Sequence, residues 1–142
     1  AVFNIIGPRI KGASFLDLCS GSGSIGIEAE SRGADFVACV DKDITFLKKN
    51  KYQLDANIHI IRSDIIRYLK RTPDRFDFIY LDPVWSDHEM YQSALFQIID
   101  RHLLSPKGVL IIEHCHSLTM PIPVDSMTNY KYGNSKLTVL NF

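Results

Sequence analysis

Two short stretches of this 142-residue chain carry residue types whose spacing could do chemistry. The first is Asp82-Pro83-Val84-Trp85. Pro83 fixes its own φ and biases Asp82 toward an extended backbone, so the Asp82 carboxylate and the Pro83 carbonyl hold defined directions. Two acceptors placed in this way can each take an N–H from one flat amine. The exocyclic amine of a nucleic-acid base is a poor nucleophile because its lone pair is delocalised into the ring. Hydrogen bonds to Asp82 and Pro83 would favour a pyramidal nitrogen, localise the lone pair and stabilise positive charge as a new bond forms. Trp85 offers an indole on which a base can stack, a contact worth ~1–3 kcal/mol. The competing reading is a strand-ending turn beside a core tryptophan. The position after a buried strand, downstream of a glycine loop, favours chemistry.

That loop is the second stretch, Leu16-Asp17-Leu18-Cys19-Ser20-Gly21-Ser22-Gly23-Ser24-Ile25-Gly26. Gly21 and Gly23 permit a sharp turn and a close approach of backbone to ligand, and Gly26 permits a helix to pack tightly on a sheet. The spelling GxGxxG also describes dinucleotide sites, which set a pyrophosphate on the helix N-terminus. S-adenosylmethionine has no phosphate; it has an ammonium and a sulfonium that favour a nearby anion. Asp17, just before the loop, is such an anion and would repel a pyrophosphate, so the loop reads as a site for S-adenosylmethionine. Asp41 ends the next strand, where a carboxylate can accept from both ribose hydroxyls of an adenosine; a helix N-cap before Lys42 is the structural alternative. Asp64 ends the third strand, where it could accept from an adenine amine or cap the helix beginning near Ile65.

These residues need a scaffold that brings strand ends together. Apolar runs predict strands over 14–18, 36–40, 58–62, 76–81 and 109–112. Helical spacing predicts helices over 23–32, 42–54, 65–71 and 87–104. In the second of these, Ile44, Leu47 and Leu54 would form the buried face and Lys48, Lys49 and Lys51 would turn outward. In the last, Tyr91, Leu95, Ile98, Ile99, His102 and Leu103 would face the core, with Ser105-Pro106-Lys107-Gly108 as the stop. Residues 125–131 and 136–141 flank Gly133-Asn134 as an antiparallel hairpin. The alternation predicts an α/β fold of the Rossmann-like kind: a mostly parallel sheet with helices on both faces and a C-terminal hairpin. Such a sheet binds ligands beyond the carboxyl ends of its strands, where strand order reverses.

Composition bounds the rest. The chain is 46% hydrophobic and 23% charged, ordinary for one globular domain over 1–142 that needs neither disulfides nor a structural metal. No apolar run approaches the ~20 residues of a membrane-spanning helix. Cys19, Cys39 and Cys115 form no CxxC pair and read as reduced thiols, with a cytoplasmic location expected. Sixteen basic residues balance sixteen acidic ones, so any charge that meets a nucleic acid must be local or lie outside this stretch. Val2, Phe3, Ile5 and Ile6 read like the end of an amphipathic helix whose beginning is absent. Arg67, Lys70, Arg71 and Arg75 read as a solvated face. Glu113, His114 and His116 lack the further ligands that a metal site would need, and no metal is expected.

With these motifs in place, the chain resembles the ribosomal RNA small subunit methyltransferase D family, the 16S rRNA guanine-N2 methyltransferases. The resemblance runs from Phe3-Asn4-Ile5-Ile6 through Leu16 to Gly23, Gly26-Ile27-Glu28-Ala29 and Ser31-Arg32-Gly33-Ala34. It continues in Val40-Asp41-Lys42-Asp43 with Asn50, Phe76-Asp77-Phe78-Ile79 leading to Asp82-Pro83, and Tyr132-Gly133 with Leu137. It implies a class I methyltransferase fold, S-adenosylmethionine as cofactor and small-subunit rRNA or the 30S particle as substrate, with a monomer expected and no membrane partner. Asp82, Pro83 and Trp85 are the implied catalytic residues. Asp17, Cys19, Ser20, Gly21, Ser22, Gly23, Asp41, Lys42, Asp64 and Ile65 form the implied cofactor site. The chain departs from the family's pattern at Val84, where a second proline is usual, and at Trp85, where Tyr or Phe is usual. It also lacks the family's basic N-terminal extension. The alternatives are an adenine-N6 methyltransferase, which shares a similar Asp-Pro motif, a non-catalytic RNA-binding relic, and an NAD-dependent oxidoreductase.

Overall fold

Continuous apolar runs such as Phe78-Ile79-Tyr80-Leu81 can be stable only where both faces of a strand are covered, and the structure covers them. The computed structural model describes residues 2–82, 88–114, 126–132 and 135–141. Pro83, Val84, Trp85, Cys115, His116 and the Gly133-Asn134 turn lie outside the described residues. In chain order the elements are α1 (Val2–Ile6), a 3-10 turn (Gly7–Ile10), β1 (Ser14–Leu18), α2 (Ser24–Ser31), β2 (Phe36–Asp41), α3 (Thr45–Leu54) and β3 (His59–Arg62). They continue with α4 (Ile65–Arg71), β4 (Phe76–Leu81), α5 (His88–Asp100), β5 (Leu104–His114), β6 (Ser126–Tyr132) and β7 (Ser135–Asn141).

The seven strands form one sheet in the order β3-β2-β1-β4-β5-β7-β6. β1 to β5 pair in parallel, and β7 joins β5 and β6 antiparallel, as the hairpin reading requires. Two cores sit on opposite faces. Phe15, Val37, Cys39, Phe78, Tyr80 and Ile111 pack with α1, Ala29 of α2 and Leu47 of α3. Leu16, Leu18, Val40, Ile79, Leu81 and Ile112 pack with Leu69 of α4 and Leu95 and Ile98 of α5. Strand order reverses between β1 and β4, so the loop after β1 and the residue after β4 border the same crevice.

Three expected boundaries move by three residues or more. Helix α3 begins at Thr45 rather than Lys42, because Asp41 accepts from the Asp43 amide at 3.1 Å and Asp43 accepts from the Thr45 amide at 3.0 Å. Those side chains hold a turn where the helix was expected to start. Leu54, expected in the core, is 64% exposed at the end of α3, and Lys51 instead turns its Nζ to the Ile58 carbonyl at 2.7 Å. Helix α5 ends at Asp100; His102, at φ 52, breaks the helical path and is exposed. The chain then enters β5 at Leu104, five residues ahead of the expected Val109, with an irregularity in register opposite Phe76 to Phe78.

Candidate functional site

The glycine loop is held by its own side chains. Gly21 and Gly23 take positive φ, 58° and 82°, conformations that an L side chain rarely adopts. A Cβ on Gly23 would stand 2.2 Å from Leu47 Cδ1, so this glycine admits the leucine of α3 closely. Gly26 behaves as expected: a Cβ there would meet Cys39 Sγ at 2.3 Å, where α2 lies against β2. Asn50 fastens the loop from α3 by donating to the Ser22 carbonyl at 2.8 Å.

The amides of the three loop glycines are already engaged. Gly21 donates to Asp41 Oδ2 at 2.7 Å, Gly23 to the Ser20 carbonyl at 2.8 Å and Gly26 to Asp17 Oδ2 at 3.0 Å. Asp17 thus fills with its own carboxylate the helix-terminal position that a pyrophosphate takes in a dinucleotide site. The anion expected at Asp17 is turned inward to the loop. The side chain is buried, and it accepts from the Ser20 hydroxyl at 2.8 Å as well as from Gly26. Burial pushes its carboxyl up to about 7 against the two hydrogen bonds that favour the anion, with further push from Asp82 and Asp41.

A carboxyl raised in the folded state binds its proton more tightly there than in the unfolded chain. Its contribution to stability is complete below 3.8 and is lost as pH rises through about 7. Asp17→Asn cannot ionise and should lack that slope. Between about pH 5 and pH 8 the unaltered protein should lose about 2–3 kcal/mol more than the variant, roughly 5–10 °C in Tm by thermal melts. Parallel melting curves for the two proteins would show that Asp17 is not the buried, proton-holding group described.

At the carboxyl edge of the sheet a cleft of about 330 Å³ is lined by Cys19, Asp41, Lys42, Ser63, Ile65, Asp82 and Met90. It brings together five of the residues singled out in the sequence, Cys19, Asp41, Lys42, Ile65 and Asp82, from the ends of β1, β2, β4 and the start of α4. Ser63 and Met90 were not singled out as ligand contacts. Met90 lies in the first turn of α5, and nothing in its spacing distinguishes it from a core methionine. Asp41 stands at the cleft with its carboxylate fastened to Gly21 and Asp43. Asp64 takes up the capping alternative: its Oδ1 accepts from the Arg67 amide at 3.1 Å, and its Oδ2 lies 3.8 Å from Lys42 Nζ. Cys19 sits at φ 60, and burial together with the surrounding carboxylates pushes its thiol up to about 12, so it is no nucleophile.

Asp82 follows β4 directly and is half-buried. Burial, then the neighbouring Glu113, pushes its carboxyl up to about 6. Glu113 is a member of this site that the sequence reading set aside with His114. The imidazole of His114 is buried and shares a 2.6 Å hydrogen bond with the Thr138 hydroxyl, which donates in turn to Asn129 at 2.7 Å. Among the described residues no group of three or more His, Cys, Asp or Glu side chains could hold a metal ion. Also among them, no helix is long and apolar enough to cross a membrane. Beyond β5 a second cleft, of about 350 Å³, is lined by His114, Asn129, Tyr130, Lys131, Lys136 and Thr138 with Met127.

Set against known proteins, residues 1–141 match the family described as Conserved hypothetical protein 95. The chain is 35% identical over 136 residues to "Putative rRNA methyltransferase YlbH" of Bacillus subtilis, covering 89% of this chain and 73% of that protein. It is 36% identical over 122 residues to "Ribosomal RNA small subunit methyltransferase D" of Buchnera aphidicola subsp. Baizongia pistaciae, covering 82% of this chain and 62% of that protein. Its fold matches the crystal structure of a "putative methylase" from Haemophilus influenzae with a TM-score of 0.83 at 26% identity, over 97% of this chain and 91% of that one.

Proposed function

The chain belongs to the ribosomal RNA small subunit methyltransferase D family, and from that premise we propose that it methylates the exocyclic N2 amine of a guanine in small-subunit rRNA, with S-adenosylmethionine as donor. The observation that carries this reading is the position of Asp82 on the same cleft as Cys19, Asp41, Lys42 and Ile65. A donor held by the loop and an amine held by Asp82 would therefore meet in one crevice.

The residues present fit that donor. A volume of about 330 Å³ is within the range of small-molecule sites. Asp41 would accept from the ribose hydroxyls, and Ile65 and Met90 would pack on the adenine. Asp41 and Asp82 put carboxylates on the crevice, which favours a cationic ligand. The engaged amides of Gly21, Gly23 and Gly26 weigh against a dinucleotide and so against the oxidoreductase alternative. When bound, S-adenosylmethionine supplies a methyl carbon made electrophilic by its sulfonium.

The chain's own contribution is to orient the amine. Asp82 would take one N–H and the Pro83 carbonyl the other, while Trp85 would stack on the guanine. In-line transfer then depends chiefly on positioning, with no covalent enzyme intermediate. Support for a nucleic-acid partner is local, as zero net charge requires: Lys131, Lys136, Tyr130 and Asn129 line the cleft next to the end of β5. Cationic, aromatic and amide side chains of this kind suit a sugar-phosphate strand.

The test is chemical. The protein is incubated with labelled S-adenosylmethionine and small ribosomal subunits that lack the modification, and the RNA is digested to nucleosides. N2-methylguanosine is expected. N6-methyladenosine would overturn the guanine assignment, and cofactor binding without label on any ribosomal RNA would support the non-catalytic reading.

A further inference from the structure

Glu113 stands on β5 beside the residue that the proposed reaction depends on, and that reaction as described leaves it without a part. Its surroundings are built. The hydroxyl of Tyr80, a buried side chain, donates to Glu113 Oε2. The hydroxyl of Tyr91, also buried, donates to the Glu113 backbone carbonyl at 3.1 Å. β4 and β5 pair with Leu81 opposite Ile112, which makes Asp82 and Glu113 the next residues on neighbouring parallel strands. The two carboxyl groups are therefore neighbours at the end of the sheet, and Glu113 is, after burial, what pushes the Asp82 carboxyl up.

Other titratable groups surround the pair. Asp17 of β1, Tyr80 of β4 and Tyr91 of α5 stand close by, with Cys19, Asp41 and Lys42 across the cleft. On β7 the residue opposite Glu113 is Leu137, while Lys136 pairs with His114 on the other face of the sheet. Beside Glu113 the Asp82 carboxyl is costlier to ionise, so it holds a proton more firmly than an ordinary aspartate.

We propose that Glu113 is a positioning residue that acts through Asp82, orienting its carboxylate toward the amine and making it the group that takes the proton released on methyl transfer. This rests on the reading of Asp82 as the amine's acceptor. As the nitrogen–carbon bond forms and the carbon–sulfur pair leaves on sulfur, the nitrogen must shed one proton. That proton passes to the Asp82 carboxylate, is shared with Glu113 and leaves to solvent when the product departs. With its carboxyl pushed up to about 6, Asp82 is a stronger base than an ordinary aspartate yet is ionised near neutral pH. Tyr80 holds the Glu113 carboxyl from behind by donating to its Oε2.

The experiment measures titration midpoints of the carboxyl carbons by NMR in the cofactor-free protein, where Asp17 and Asp82 give separate resonances, together with the pH dependence of turnover. Glu113→Gln keeps an oxygen for Tyr80 but removes the charge; it should lower the Asp82 midpoint by about one pH unit and carry the acid limb of the rate profile with it. Tyr80→Phe removes the hydroxyl that holds Glu113 Oε2 and frees that carboxyl to turn away from Asp82, so midpoint and limb should both move downward, by less than in Glu113→Gln. A merely structural role would not move midpoint and limb together. Midpoints unmoved in both variants would overturn the proposal, and Tyr80→Phe carries the test alone if Glu113→Gln does not fold. The two levels remain distinguishable: full activity in Asp82→Ala sinks the reading of Asp82, whereas an inactive Asp82→Ala with unmoved midpoints sinks only the role of Glu113.

Discussion

Asp82→Ala is expected to lower methyl transfer about 10³-fold while leaving cofactor affinity within about threefold of the unaltered protein. The reasoning separates chemistry from binding. In the proposed site Asp82 accepts a hydrogen bond that strengthens as charge develops on the amine nitrogen, and removing one such preorganised partner typically costs 10²–10³ in rate. Loss of the proton-accepting carboxylate adds to that cost. The fold should not suffer. Asp82 is half-buried beside Glu113 with its carboxyl pushed up, so ionising it near neutral pH opposes folding, and its removal should leave Tm level or slightly higher at about pH 8. Single-turnover rates, calorimetric titration of cofactor and a melting curve together check all three parts. A rate within about fivefold of the unaltered protein would remove Asp82 from the reaction.

The second large effect is expected at Asp41, and it is the mirror image of the first. Asp41→Ala should weaken cofactor binding by about 10²–10³-fold, roughly 3–4 kcal/mol, read by the same titration. Two losses combine. The carboxylate holds the loop by accepting from Gly21 at 2.7 Å and sets the turn into α3 by accepting from Asp43 at 3.1 Å. Its other proposed task, accepting from ribose hydroxyls, disappears as well, and charge-assisted hydrogen bonds of this kind are worth about 1.5–3 kcal/mol each. With cofactor at saturating concentration, turnover should recover much of its value, since Asp41 has no part in moving protons. Unchanged affinity would mean that the adenosine lies elsewhere. Asp41→Asn, which keeps one acceptor oxygen, should fall between the two.

Much of the scaffold was legible because its signals are local. The bounds of β1, α4 and β4 coincide with those read from the residues, since each is a run with a definite stop: Gly12 before β1, Asp64 capping α4 and Thr72-Pro73 ending it. The turn at Asp41 and Asp43 was harder, because short acidic side chains that cap a helix can equally delay it by bonding to nearby amides. The break after Asp100 was hidden because Ile99, His102 and Leu103 keep helical spacing although His102 adopts a positive φ.

The site divides in the same way. Asp17, Asp41 and Asp82 stand out as acids at strand ends, yet only coordinates reveal that Asp17 turns inward to Gly26. In a strand buried on both faces, alternation of polar and apolar residues vanishes, and with it the sign of which way a side chain points. Glu113 was harder still. Its contact with Tyr80 spans 33 residues of sequence and exists only through the pairing of β4 with β5. A search of β5 for an acid level with the Asp-Pro step could have found it once that pairing was assumed.

The most direct test is a crystal structure of the protein with S-adenosylhomocysteine, the thioether left after methyl transfer. The account predicts adenosine between Asp41 and Ile65, with the sulfur turned toward Asp82 and open space beside it for a planar base. A thioether bound outside this crevice, or with its sulfur facing away from Asp82, would contradict it.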